Sequence, residues 1–139
     1  MKRVIILVAF VILSCSKNPE IYIEHIEGYW EIEEVTLANG EKKSYSVNET
    51  IDYISLNDSL KGFRVKLKPG VNGTYYTSDN AETITLKIED DKINIYYNTQ
   101  FDSWKETILK ATEEQLLIQN DNKDVYLYNR YQPINLDVQ

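Results

Sequence analysis

From Gly28 onward, short runs of alternating apolar and polar residues follow one another along the chain, separated by turn-forming residues. In 83–89, apolar residues occupy every second position, which is typical of a strand with one buried face. Asn39-Gly40 is a strong hairpin signal. The pattern predicts eight or nine strands at 29–38, 51–56, 62–68, 74–77, 83–89, 92–98, 104–111, 115–119 and 124–131, with 43–47 a short strand or a loop.

Evenly spaced short strands predict an all-β fold, an antiparallel up-and-down meander closed into a barrel or folded as a sandwich. Closure is favoured because it removes the two exposed edges of an open sheet. The apolar residues of the first strand change phase between Ile32 and Val35, which predicts a bulge near Glu33-Glu34. Ahead of this strand, 21–27 is either a single helical turn or an extended plug.

The first fifteen residues resemble a bacterial lipoprotein signal. Lys2 and Arg3 precede an unbroken apolar run that is too short to span a membrane, and Ser14 precedes Cys15. The resemblance implies cleavage before Cys15 and a thioether-linked diacylglycerol with an added acyl chain such as palmitate. Two other interpretations stay open: ordinary signal cleavage with Cys15 incidental, and an uncleaved anchor.

The resulting division is a signal peptide at 1–14, a lipidated tether at 15–25 and a β-barrel at 26–139. Ser16, rather than Asp, follows the cysteine, which resembles the outer-membrane sorting pattern of Gram-negative bacteria. The expected location is therefore the cell envelope, most specifically the outer membrane. Removing 1–14 takes away Lys2 and Arg3 and no acid, so the net charge of −7 becomes −9. Such an acidic chain argues against nucleic-acid binding.

Both ends of the barrel region carry a pattern that resembles the lipocalins. Gly28-Tyr29-Trp30 opens the first strand, and Arg130 lies in the last one. The closest likeness is to the small lipocalin-like domains of Bacteroidetes-type lipoproteins. The resemblance implies an 8- to 9-stranded barrel whose base is closed by Gly28, Trp30 and Arg130, with the guanidinium stacked on the indole. The alternative is that Trp30 is ordinary core and Arg130 an ordinary edge charge.

No set of residues indicates catalysis, metal binding or a cofactor. His25 is the single histidine, and metal sites and catalytic triads need partners that it lacks. No serine lies in a nucleophile elbow, and no glycine-rich phosphate loop is present. Carboxylates such as Glu31 and Glu89 fall on turns or on faces expected to be solvated. The sequence therefore predicts a protein that is not an enzyme.

Four tyrosines are candidates for lining a ligand site: Tyr75, Tyr97, Tyr126 and Tyr128. Adjacent strand residues face opposite sides, so some of the chain's tyrosines must point inward. Inward tyrosines either surround a small apolar or amphipathic ligand or simply fill the barrel, whereas outward ones form a docking surface for another protein. The expected function is a lipid-anchored envelope protein that binds a small ligand in or at the mouth of the barrel. The alternative is a non-enzymatic interaction subunit of an envelope complex.

Overall fold

A computed structural model describes residues 18–77 and 80–133, with only the backbone of Asn72. The lead segment contains one short helix, α1 (Glu20–Ile23). Within the described ranges, no helix is long and apolar enough to cross a membrane. The strands there are β1 (Gly28–Thr36), β2 (Lys42–Ser44), β3 (Ile51–Leu56), β4 (Lys61–Pro69), β5 (Tyr75–Thr77), β6 (Glu82–Glu89), β7 (Lys92–Asn98), β8 (Ser103–Ala111), β9 (Gln115–Asn120) and β10 (Val125–Arg130).

Eight of these strands close into an antiparallel barrel, which confirms the predicted fold class. They follow one another around the ring as β1, β3, β4, β6, β7, β8, β9 and β10, and β10 pairs again with β1. The closing register places Trp30 opposite Arg130 and Val35 opposite Tyr126. The two short strands β2 and β5 lie outside the ring and pair with β1 and β4.

The predicted bulge in β1 is confirmed. The register with β10 shifts between Ile32 and Glu34, so that Trp30 before the bulge and Val35 after it are both buried. An extra residue is what allows one strand to keep its apolar side chains inside while the pattern changes phase. β8 has a second register shift, between Ile108 and Lys110, which the sequence pattern did not predict.

The apolar core fills one half of the barrel. We call this end the floor, where the lead segment meets the turn between β8 and β9, and the opposite end the mouth. Ile26 of the lead segment is fully buried, and Tyr22 and Ile23 pack against the same core. The lead segment therefore acts as a plug. The core residues are Ile26, Trp30, Ile54, Ile84, Leu86, Ile93, Ile95, Tyr97, Ile108, Ala111, Leu116, Ile118 and Tyr128.

A second, smaller apolar cluster lies on the outer face of the barrel. Ile51, Val65 and Leu67 are buried there. Four tyrosines pack over them: Tyr29, Tyr53, Tyr75 and Tyr131. Because the apolar residues of β4 are used on this outer face, the alternate residues Arg64 and Lys66 point into the barrel.

Candidate functional site

The floor of the barrel is closed by Trp30 and Arg130. The guanidinium carbon of Arg130 lies 3.8 Å from the centroid of the Trp30 ring. The indole Nε1–H of Trp30, which is 1% exposed, donates to the carbonyl of Ile26 at 2.8 Å. A cation over an indole face is stabilised by the negative π cloud, so the two side chains hold each other in place.

Arg130 also ties separate segments together through backbone carbonyls. Nη1 donates to Glu27 at 2.8 Å and Nη2 to His25 at 2.7 Å, while Nε donates to Glu113 at 2.9 Å. These bonds join the lead segment to the turn after β8. Gly28 makes room for them, because a Cβ at this position would lie 2.4 Å from Nη1 of Arg130.

Above the apolar core, a layer of polar side chains crosses the barrel around Arg64. Its Nη2 donates to Oδ2 of Asp52 and to Oη of Tyr128, both at 2.8 Å. Its Nη1 donates to Oη of Tyr97 at 2.7 Å and lies 3.6 Å from Oε1 of Glu106. We call these five residues the Arg64 cluster. Its members come from β3, β4, β7, β8 and β10, so it braces most of the ring.

Burial and mutual contact set the ionisation of the Arg64 cluster. Burial acts to raise the pKa of the Asp52 carboxyl, but Arg64 and Lys66 outweigh it and hold that pKa below its usual value. Burial raises the pKa of the Tyr97 and Tyr128 phenols, so both stay neutral. Burial also acts to lower the pKa of the Arg64 guanidinium, but its phenol and carboxyl neighbours raise it overall. Arg64 and Asp52 thus form a charged pair that lies beside the neutral phenol hydroxyls of Tyr97 and Tyr128.

An open cavity of about 610 Å³ lies at the mouth, directly above the Arg64 cluster. Its position follows from the sheet, because β4 pairs with β6 only as far as Arg64 and then pairs with β5 from Leu67 onward. The wall therefore opens beside Val65 and Lys66. The cavity is lined by Asp52, Arg64, Val65, Lys66, Asn80, Glu82, Trp104, Glu106 and Tyr126.

A second cavity of about 310 Å³ lies beside it, where β1 likewise changes partner. β1 pairs with β3 through Trp30 and with β2 from Glu34 onward. The loop after β2 covers this gap, because the Asn48 side-chain amide donates to the Ile32 carbonyl at 3.0 Å. Both cavities share Asp52, Lys66 and Tyr126 in their linings. The two cavities of the mouth therefore adjoin each other at these three residues.

The tyrosine candidates occupy two different places. Tyr97 and Tyr128 lie inside the barrel as members of the Arg64 cluster, and Tyr126 lines both cavities. Tyr75 lies instead on the outer face, with its ring centroid 5.0 Å from that of Tyr29. The reason is that β5 pairs with β4 outside the ring, so neither face of β5 reaches the interior.

Two other residues noted in the sequence, Cys15 and His25, belong to the N-terminal region. Cys15 lies outside the described residues. His25 sits in the plug, with Nε2 at 3.2 Å from Oε1 of Glu24 and its carbonyl bound by Arg130. Within the described ranges, no group of three metal-binding side chains comes together.

The charged residues of the mouth were not predicted from the sequence as site residues: Asp52, Arg64, Lys66, Glu82 and Glu106. Each lies in a predicted strand, or one residue before one, at a position where the sequence pattern predicts a solvent-exposed side chain. One signal was available. Asp52 is the single acid in Ile51–Leu56, a strand made up mainly of apolar and aromatic residues. Chemically, the mouth offers charges of both signs beside Trp104 and Tyr126. It holds polar and aromatic groups together, which suits binding of an amphipathic molecule.

Comparison with known proteins adds to this picture. The profile of the lipocalin-like domain family matches residues 26–118. The chain is similar to the solved structure of a lipocalin-like protein from Bacteroides uniformis, at 10% identity over 77% of this chain and 99% of that chain, with a TM-score of 0.49. It is also similar to an uncharacterized protein from Bacteroides eggerthii, at 14% identity over 76% and 98%, with a TM-score of 0.48. No curated protein gives a significant match.

Proposed function

Because the chain belongs to the lipocalin-like domain family, we propose that it binds a small amphipathic molecule at the mouth of its barrel. The fold of this family is generally a binding fold without enzymatic activity, and a lipocalin-like barrel suggests small-ligand binding in general. The specific site, the ligand's chemistry and the cellular location are our proposal. A fold alone does not fix a function, so the proposal depends on the residues of the mouth.

The observation that carries the proposal is the open cavity of about 610 Å³ above the Arg64 cluster. The floor half of the barrel is filled by side chains, so within the barrel interior a ligand has room in the mouth half. A volume of this size is within the range of ordinary small-molecule sites, about 300–1,000 Å³. The ligand is therefore expected to be short, rather than a long acyl chain that runs the length of the barrel.

The lining indicates how such a molecule would lie. Its apolar part would contact Trp104 and Tyr126, which supply aromatic surface. Its polar part would face the charged side chains, of which Asp52 is 5% exposed and fixed by Arg64 and Lys66. Polar groups that are already held by partners need little reordering when a ligand arrives, and this favours binding.

Native mass spectrometry of the protein purified from its own cells tests the proposal. We expect a retained small molecule. Glu82→Trp should abolish retention because the indole would fill the cavity, whereas Thr83→Trp should not. These residues are adjacent on β6, so their side chains point to opposite faces, and Thr83 is exposed. Equal retention by the two variants, or none in the unaltered protein, would contradict a ligand at the mouth.

We further propose that the protein is held at the outer membrane by acyl chains on Cys15. The lipoprotein-like signal supports this, and so does the position of the plug. Only Ser16 and Lys17 separate Cys15 from the first described residue, a reach of about 10 Å. Since the plug packs at the floor, a lipid on Cys15 would set the floor toward the membrane and the mouth away from it.

The anchor is tested by the intact mass and the membrane partition of the cellular protein. We expect a mass that matches a chain beginning at Cys15 with added acyl groups. Cys15→Ser should leave the protein unmodified and move it out of the membrane fraction, whereas Ser16→Ala should change neither. An unmodified wild-type mature terminus would refute this part of the proposal.

The alternative function, a subunit of an envelope complex, has one observation in its favour. Phe63 lies on the outer face beside Tyr53, with ring centroids 5.9 Å apart, and is 40% exposed. If a protein partner binds this outer face, Phe63→Ser should abolish recovery of the partner after cross-linking in cells. Ile88→Ser, at a position on the interior-facing side of β6, should not.

A further inference from the structure

The charges at the mouth do not balance. Asp52 is bonded by both Arg64 and Lys66, at 2.8 Å and 3.1 Å, and Glu106 lies 3.6 Å from Arg64. These two acids and two bases neutralise one another. Glu82 is the additional charge: within the described ranges its side chain has no hydrogen bond or ion pair, and it lines the same cavity. Among the described residues that line the cavity, acids therefore outnumber bases by three to two.

The cation of the Arg64 cluster is already engaged. Both terminal nitrogens of its guanidinium hold partners, and the residue's side chain is only 11% exposed. To pair with Arg64, a ligand carboxylate or phosphate would have to displace Asp52, leaving a buried carboxylate with Lys66 as its remaining ion-pair partner. Leaving a buried charge without its main partner is costly. Pairing of an anionic ligand with Arg64 is thus disfavoured.

The aromatic walls favour a positive charge. Trp104 stacks on Tyr97 with centroids 5.0 Å apart and planes inclined by 6°, and this fixes the indole beside the cavity. Tyr126 supplies a second ring in the lining. An ammonium group is attracted to the negative π faces of such rings, the more so when it is partly desolvated.

We propose, on the basis of the function proposed above, that the cavity selects ligands that carry a cationic amine. The ammonium group sits beside Glu82 and Glu106, and the apolar part of the ligand rests on Trp104 and Tyr126. Glu82 gains the ion pair that it lacks in the free protein. The ligand class is therefore a short amine with an apolar or aromatic body.

Three probes that share one apolar body test this preference: 2-phenylethylammonium, 2-phenylethanol and 3-phenylpropanoate. Isothermal titration calorimetry at neutral pH is carried out on the full-length protein in a nonionic detergent, with protein-free detergent as the blank. We expect the ammonium probe to bind at least about tenfold more tightly than the alcohol, and the carboxylate most weakly.

Matched variants locate the effect. Glu82→Gln keeps the shape of the side chain and should reduce ammonium binding about tenfold while leaving alcohol binding unchanged. Glu41→Gln, at an exposed position in the hairpin after β1, should change neither. Binding of the alcohol or carboxylate as tight as that of the amine would overturn the cationic preference but leave the mouth as a ligand site. Binding of none of the three would count against both proposals.

Discussion

Replacing Trp30 with alanine removes the side chain that closes the floor of the barrel. The indole is 1% exposed, so the substitution deletes a fully buried aromatic group and leaves a cavity. Truncation of a buried Trp costs about 3–5 kcal/mol of unfolding free energy. Two specific contacts are lost with it: the hydrogen bond to the Ile26 carbonyl at 2.8 Å, and the ring that lies 3.8 Å from the Arg130 guanidinium carbon.

Urea unfolding followed by far-UV circular dichroism measures this loss without relying on the fluorescence of the deleted residue. Trp104→Ala is the matched control, because Trp104 is half-buried and its main ring contact is with Tyr97. We expect a smaller loss there, about 1–2 kcal/mol. If Trp30→Ala does not fold, Trp30→Phe keeps a ring and should cost about 1–3 kcal/mol, mainly through the unpaired Ile26 carbonyl.

A double-mutant cycle isolates the contact between the two closing residues. Trp30→Leu, which removes the ring, and Arg130→Met, which removes the charge, are each measured alone and then together, and the coupling is expected at about 0.5–2 kcal/mol. Additive losses would mean that the guanidinium over the indole contributes no stability. A loss below about 1 kcal/mol for Trp30→Ala, or one equal to that of Trp104→Ala, would refute the closing role of Trp30 altogether.

Three further predictions concern stability. Gly28→Ala should cost about 1–3 kcal/mol, and more than Gly40→Ala, because both positions have positive φ but only at Gly28 would the Cβ meet Arg130; equal losses would contradict this. Arg64→Met should cost about 3–5 kcal/mol by leaving Asp52 buried without its main partner, and adding Asp52→Asn should recover part of that loss; no recovery would argue against the pair. Because the pKa of Asp52 is lowered in the folded protein, its ionised carboxyl contributes fully to the unfolding free energy above about pH 4, and this contribution is lost as the pH falls through the folded-state pKa. The difference in unfolding free energy between wild type and Asp52→Asn should therefore shrink in acid, and an increase would contradict the assignment.

The barrel was predictable from the sequence because its strands carry local signals. The hairpin at Asn39-Gly40 and the alternation in β6 each depend on residues that are close together in the chain. The bulge in β1 was likewise predictable, since a change of apolar phase within one strand has few other solutions. The pairing of β10 with β1 followed from the meander, because only closure protects both edges.

The Arg64 cluster was not predictable in the same way. In β4, Phe63, Val65 and Leu67 alternate with Arg64, Lys66 and Lys68, and the pattern alone does not say which side faces the interior. The outer cover formed by β5 and its neighbouring tyrosines decides this, and it depends on pairings distant in sequence. The position of Tyr75 was unpredictable for the same reason, because Tyr75 lies on the outer face only since β5 pairs with β4 outside the ring.

Fluorine NMR of the protein labelled with 5-fluorotryptophan tests the central claim most directly, because the two tryptophans line different cavities. Trp104 lines the larger cavity above the Arg64 cluster, whereas Trp30, which is 1% exposed, lines only the smaller one. On titration with 2-phenylethylammonium and, separately, 2-phenylethanol, we predict that the Trp104 resonance shifts to saturation while the Trp30 resonance stays in place. A shift confined to Trp30, or no shift of either resonance with either probe, would contradict a ligand site in the larger cavity above the Arg64 cluster.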